Sequence, residues 1–271
     1  MAPPLLELSD VVVEFGGIVA LNRVSLAVRP GEILGVIGPN GSGKTTLLNA
    51  VMGNYLPTSG EIAFEGRPLG RTLPHHRVRL GMARSFQHVE MFESLTVEEV
   101  VLLGLHTTSG ETFLGALLRT PGFRRTARAM RERAAQLITS LGLGPIHEAR
   151  IGTLPYGVRK MVDVARAVAS EPRLVLLDEP CSGVSRAERT EILELVRRIQ
   201  DRGTTLLLIE HDMSVVERLA TRVAGLDFGV KIAEGSFEEV LANPVLQASY
   251  FAKPGHHQPP ADVSVSWEER H

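Results

Sequence analysis

One octapeptide constrains this chain more than any other stretch: Gly38-Pro39-Asn40-Gly41-Ser42-Gly43-Lys44-Thr45. It fits G-x-x-x-x-G-K-[ST], and its flanks suit a phosphate-binding loop. Ile33-Leu34-Gly35-Val36-Ile37 reads as a fully buried strand, and Thr46-Leu47-Leu48-Asn49-Ala50-Val51-Met52 as the opening of a helix. A phosphate placed between them meets a helix N-terminus. The glycines let successive backbone N–H groups turn inward on β- and γ-phosphates, and the helix dipole favours the negative charge. Lys44 adds a point charge and Thr45 a hydroxyl for Mg²⁺, so Gly38 through Thr46 is the expected nucleotide cradle.

The remaining 263 positions of the 271 can supply a sizeable core, since 44% of the chain is hydrophobic. Twenty-nine basic and thirty-one acidic residues nearly cancel, leaving no global field to draw in nucleic acid. The single cysteine, Cys181, excludes an internal disulfide and a cysteine-cluster metal site, which suits a reducing compartment. No apolar run reaches the roughly 20 residues of a membrane span. Met1-Ala2-Pro3-Pro4-Leu5 has neither the basic nor the apolar part of a signal peptide. The expected location is cytoplasmic, with membrane contact only through partners.

Residues 5–29 alternate around the turn Gly16-Gly17, as strands of an antiparallel patch do, and Ile62-Ala63-Phe64 adds another short strand. Phe15 at that turn is either a hairpin residue or a face for a purine ring. The chain returns to the core between Leu80 and Gln87, and Thr96-Val97-Glu98-Glu99 is a capping box opening a helix. Residues 104–150 give no strand signal; Met130, Ala134, Leu137, Ile138 and Leu141 form the stripe of an amphipathic helix, with the neighbouring arginines on a solvated face. A further helix follows Leu154-Pro155-Tyr156-Gly157. Then come the strand Leu174 to Leu177, a helix capped by Ser185 and Glu188, the strand Thr204 to Ile209, and a helix capped by Ser214 and Glu217. Such alternation predicts a parallel sheet covered on both faces. The polar, proline-rich residues 254–271 read as a mobile tail.

Ligands of an open α/β sheet bind at the carboxyl ends of its strands, and three loaded positions fall there. Asp178 is placed as a Walker-B carboxylate sharing Mg²⁺ with Thr45. Glu179 is placed to orient or deprotonate an attacking water, and His211 to hydrogen-bond the γ-phosphate or that water.

Taken in order, the phosphate loop, Gln87 before a helical insertion, Leu154-Pro155-Tyr156-Gly157-Val158, Leu174 to Pro180 and His211 resemble the ATP-binding subunits of ABC transporters. The resemblance implies an α/β P-loop NTPase core with a mostly parallel sheet, an N-terminal antiparallel β subdomain and an α-helical subdomain inserted at about residues 88–165 of a domain spanning 1–253. It further implies that Phe15 stacks on adenine, that Gln87 contacts Mg²⁺ and the transport partner, and that Glu179 is the general base. Residues 154–158 would bind the γ-phosphate held by a second subunit, self or paralogue, in a head-to-tail dimer that hydrolyses ATP. Membrane permeases, and through them an extracellular or periplasmic solute-binding protein, are the implied partners at the cytoplasmic face. Gly81 to His88, Phe113 to Pro121, Ile209 to Met213 and Leu226 to Gly229 look, more narrowly, like the larger, insertion-bearing ATPase of branched-chain amino acid importers.

Three positions depart from the common pattern: Pro155 and Tyr156 replace the usual Ser and Gly, Val158 and Arg159 replace the glutamine region, and Ser185 stands where many members have aspartate. Rival readings are an ATPase of another transporter, for urea, amides or lipopolysaccharide, and a soluble ABC ATPase acting on nucleic acid. The latter usually carries two cassettes, coiled-coil insertions or zinc cysteines, and the sequence has none of these.

Overall fold

The computed structural model describes residues 3–85, 92–106 and 121–251. Its central element is a six-stranded sheet built from β3 (Ile33–Ile37), β6 (Met82–Arg84), β7 (Leu174–Asp178), β8 (Thr205–Ile209), β9 (Arg222–Asp227) and β10 (Val230–Gly235). The strand order is β10-β9-β3-β8-β7-β6, with all pairings parallel except that of β10 with β9. Every residue of β3, β7 and β8 is buried, which explains why those strands read as unbroken apolar runs. The registers align the strand ends, because Val36 and Asp178 both pair with Ile209. Gly38, Glu179 and Glu210 therefore leave the sheet along one edge.

Alternate residues of these strands feed two cores. Ile33, Val175, Leu177, Leu206 and Leu208 face one way, into a core with the helices α3 (Val97–His106), α4 (Pro121–Ser140), α5 (Tyr156–Val168), α6 (Arg186–Asp201) and α7 (Met213–Leu219). Leu34, Val36, Leu174, Leu176, Leu207 and Ile209 face the other, toward α1 (Lys44–Met52) and a four-stranded antiparallel sheet. That second sheet has the order β2-β1-β4-β5, from β1 (Leu6–Phe15), β2 (Ile18–Val28), β4 (Ser59–Phe64) and β5 (Arg67–Pro68). The expected antiparallel patch is thus present. Phe15 pairs with Ile18 across Gly16 and Gly17, whose φ of 53° and 85° is the left-handed geometry that a two-residue hairpin turn needs.

Between β6 and β7 the described residues form helices and no strand, only an isolated bridge from Thr96 to Arg150. The capping box at Thr96 and Glu99 is made, with both reciprocal bonds, and so is that at Ser185 and Glu188. In α4, Arg125, Arg128, Arg131 and Arg133 are exposed, with Arg128 paired to Glu132 and Arg133 to Glu171. The segment Phe113 to Thr120, Gln87 and the tail 254–271 lie outside the described residues.

One expected cap is corrected. The start of α7 is capped by Asp212, not by Ser214: the Asp212 carboxylate accepts from the Ser214 N–H at 3.0 Å and from its hydroxyl at 2.6 Å. Asp212 stands at the extended residue before the helix, and its charged oxygen captures the hydroxyl that would otherwise compete. The sequence reading also did not pick out the β9–β10 hairpin, turned at Phe228 and Gly229, or the Ser236 and Glu239 capping box that opens α8 (Phe237–Leu241), although that box has the same three-residue spacing as the other two.

Candidate nucleotide site

The phosphate loop runs from the end of β3 into α1, and two of its glycines are enforced by neighbours. A Cβ on Gly38 would stand 2.1 Å from the Leu226 carbonyl oxygen, and one on Gly43 would stand 2.6 Å from that of Ala20. Gly43 is also the N-cap of α1 at φ 100°. The loop is therefore wedged between β9 and β2, with Gly229 donating its N–H to the Ser42 carbonyl at 3.0 Å. At its far end α1 is pinned by the fully buried Arg77 of α2 (Pro74–Arg79), which donates to the carbonyls of Ala50 and Val51 at 2.9 and 2.8 Å, filling acceptors that a helix C-terminus leaves open.

Lys44 is buried and donates to the carbonyl oxygens of Gly38 and Pro39 at 2.7 and 2.8 Å. Burial pushes its ammonium below the usual lysine range, and the charges of Glu179 and Asp178 partly restore it. Thr45 beside it is exposed and Thr46 half-buried. Asp178, 4% exposed, ends β7 and accepts from the Arg84 guanidinium at 2.7 Å; another Arg84 nitrogen donates to Asn49 Oδ1 on α1 at 2.7 Å. The Asp178 carboxylate and the accessible Thr45 hydroxyl are hard oxygen donors of the kind Mg²⁺ takes, so these residues fit the metal, which would compete with Arg84 for the carboxylate.

Glu179 has φ 49°, a left-handed conformation uncommon outside glycine, and its N–H donates to the Ile209 carbonyl at 2.9 Å. His211 lies across from it, half its side chain in solvent, with Nδ1 3.9 Å from carboxylate oxygens of both Glu179 and Glu210. That separation is beyond hydrogen-bond reach. Glu210 beneath is fully buried; its Oε1 accepts from the Cys181 N–H at 2.7 Å, Oε2 has no hydrogen-bond partner among the described residues, and burial raises its carboxyl above the usual range. Phe15, at the β1–β2 turn, is 42% exposed and meets Tyr55 edge-on at 4.8 Å between centroids.

The segment Leu154 to Val158 sits elsewhere, at the start of α5, and faces the chain that follows β7. Pro155 is the N-cap, with ψ 153° and no side-chain acceptor. The proline thus stands just before the first helical residue, where its ring fits but offers no hydroxyl to cap. The Gly157 N–H, expected to be available for phosphate, donates instead to Glu188 Oε1 at 2.9 Å. A carboxylate from α6 fills the capping role that Pro155 cannot. Sequence reasoning also missed Arg84 and Lys160; the signals were a lone charge inside the short strand β6 and a lysine next to Met161 on the buried stripe of α5.

Residues 21–182 match the family described as ABC transporter. The chain belongs to the ABC transporter family. This cassette is 36% identical over 255 residues to the high-affinity branched-chain amino acid transport ATP-binding protein LivG of Escherichia coli (strain K12), a match covering 93% of this chain and 100% of that protein. It is 35% identical, with the same coverage, to the corresponding protein BraF of Pseudomonas aeruginosa. Among solved structures, a nucleotide-free ATP-binding cassette from an ABC transporter superposes with a TM-score of 0.81 at 29% identity, covering 92% of this chain and 100% of that one. The ADP conformation of such a cassette superposes equally well, at 0.81 and 29%, over 93% of this chain. The sheet order and the edge that gathers Gly38, Asp178 and Glu179 are therefore those of an ABC ATPase cassette.

Proposed function

We propose that this chain is the ATP-hydrolysing, energy-coupling subunit of an importer for branched-chain amino acids. The observation that carries the reading is end-to-end similarity to LivG and BraF in a chain whose Lys44, Asp178 and Glu179 meet at one sheet edge. The loop N–H groups and Lys44 bind the β- and γ-phosphates, and Phe15, with Tyr55 beside it, receives the adenine ring. Mg²⁺, held by Thr45 and Asp178 with Gln87 as a further ligand, would neutralise charge on the phosphates. Glu179 takes the proton of the attacking water, and His211 swings toward the γ-phosphate. Little covalent chemistry is demanded of the protein, so most of the acceleration comes from alignment and charge.

Residues 154–158 complete the site of a second cassette, self or paralogue, in a head-to-tail pair. The coupling partners in this reading are separate permease subunits, with this chain peripheral at the cytoplasmic face; among the described residues no helix is long and apolar enough to cross a membrane. A cleft of about 450 Å³ lined by Met52, Pro74, Val78, Arg84, Gly104 and Arg166 lies between core and helical region beside the chain leading to Gln87, and suits a permease segment. The solute-binding protein acts at one remove. Glu179→Gln tests the reading: ATP binding persists, while turnover falls by roughly 10²-fold or more. Uptake of leucine, isoleucine or valine by vesicles carrying the assembled transporter tests the substrate class; uptake of urea or amides alone would transfer the cassette to another importer.

A further inference from the structure

Lys160 is a buried cation of α5 to which the proposed chemistry gives no task. It lies one helical turn after Gly157, is 8% exposed, and reaches away from the solvent into the turn that follows β7. Its ammonium donates to the carbonyl oxygens of Glu179 at 2.9 Å and of Ser182 at 2.7 Å, and it lies 5.3 Å from the centroid of the Tyr156 ring. Burial disfavours its charge, and Glu210, Cys181, Glu179 and Asp178, in that order, favour it. A cation desolvated this far, hydrogen-bonded to two carbonyls of one short turn, fixes that turn's shape.

The turn needs fixing because of Glu179. Its φ of 49° is held from three sides: its N–H by the Ile209 carbonyl, and its carbonyl by the Ser182 N–H at 3.1 Å and by Lys160. The direction of the Glu179 carboxylate depends on that backbone angle. Lys160 also stands on the same helix as Pro155, Tyr156 and Gly157, and Tyr156 abuts Gly183 of the same turn, a Cβ there lying 3.5 Å from the tyrosine ring.

We infer that Lys160 is a positioning residue for Glu179: it ties the start of α5 to the backbone that aims the hydrolytic carboxylate, so that engagement of the 154–158 segment by a partner cassette's nucleotide is felt at this chain's own base. The inference rests on the reading of Glu179 given above. It makes a helix that serves one nucleotide site a mechanical neighbour of the other.

A double-mutant cycle in the full-length chain tests it, reading single-turnover hydrolysis of Mg-ATP and nucleotide affinity. Lys160→Met and, as a gentler change, Lys160→Gln should each slow hydrolysis roughly 10- to 100-fold with ATP affinity within about two-fold of the parent, as expected for a misaimed group. Lys160→Arg, which keeps charge and two donors, should recover most of the rate. In a Glu179→Gln background Lys160→Met should cost nothing further, because the group it aims is already gone. Multiplicative losses in the cycle, or near-parental rates in both single variants, overturn the inference. Near-normal hydrolysis by Glu179→Gln alone overturns the reading of Glu179 as base, and the inference falls with it.

Discussion

Arg84→Met probes the metal side of the site and yields a number. The Arg84 guanidinium and Asp178 carboxylate are 2.7 Å apart, with 19% and 2% of their side chains exposed. Removing one member of a fully buried pair costs about 3–5 kcal/mol, because a charge is left desolvated. Two features of this pair lower the figure. The arginine is partly solvated, and Lys44 is near enough to feel Asp178, so a loss of about 2 kcal/mol is expected in the absence of nucleotide. At about 2–4 °C per kcal/mol for a domain of this size, the midpoint of thermal unfolding should fall by roughly 4–8 °C. Mg²⁺ at Asp178 replaces the lost cation, so Mg-ATP should raise the midpoint of the variant more than that of the parent, whereas ATP with a chelator should not. Scanning calorimetry under the three conditions decides this. An unchanged midpoint without nucleotide would mean that the ion pair contributes nothing. Equal Mg-dependent shifts in both proteins would remove Asp178 from the metal.

Other perturbations separate the remaining parts. Gly43→Ala forces a Cβ into the Ala20 carbonyl at a φ of 100°, and should abolish nucleotide binding, measured with a fluorescent ATP analogue, while the far ends of both sheets stay folded. Phe15→Ala should weaken ATP binding by about 1 kcal/mol, roughly five-fold, and leave the hydrolysis rate at saturation unchanged; a loss confined to that rate would contradict its role as a stacking face. The Cys181 thiol is pushed up to about 12, chiefly by burial with Glu210 adding to it, so it stays protonated far above its ordinary 9.0 and should resist alkylation at pH 8 until the protein unfolds. Fast labelling of the native protein would show that the turn after β7 opens. The unfolded thiol ionises first as pH rises, so this group withdraws stability between about pH 9 and 12, a slope that alkaline melts of a Cys181→Ala variant would lack. Pro155→Ser should add about 1 kcal/mol through a restored N-cap and tighten the Mg-ATP dimer of Glu179→Gln in sedimentation; no gain in either would mean that Glu188 caps α5 as well as a serine does.

What could be read from the sequence was local in the chain. The phosphate loop is legible because its strand, turn and helix are contiguous, and the residues at the ends of β7 and β8 because each follows an apolar run that announces a buried strand. Two capping boxes were legible for the same reason, each being a spacing of three residues. The relations between the parts of the site were not. Arg84 and Asp178 are 94 residues apart, Lys160 and Glu179 belong to a helix and a turn with no shared periodicity, and Gly157 and Glu188 are 31 apart. The cap at Asp212 was misassigned because serine and aspartate two residues apart offer equivalent patterns, and only geometry shows which oxygen accepts.

These unread pairs have a common consequence for binding. Lys44 donates to Gly38 and Pro39, Asp178 accepts from Arg84, and the Gly157 N–H is held by Glu188, whose carboxyl lies below the usual range because Ser185 and then the Gly157 amide bond to it. Each is a group that phosphate or Mg²⁺ is proposed to use, and each is already hydrogen-bonded within the chain. Ligand binding is then an exchange of partners, and its free energy is the difference between two sets of charge-assisted bonds, not the sum of the new ones. Such a site binds nucleotide only as tightly as that difference allows, and it returns to internal pairing when phosphate leaves. For a transport ATPase that must release ADP every cycle, such internal partners are a direct physical route to reversibility. They also explain why a group at each of the three places, the loop, the β7 end and the α5 start, can be buried or capped without a ligand.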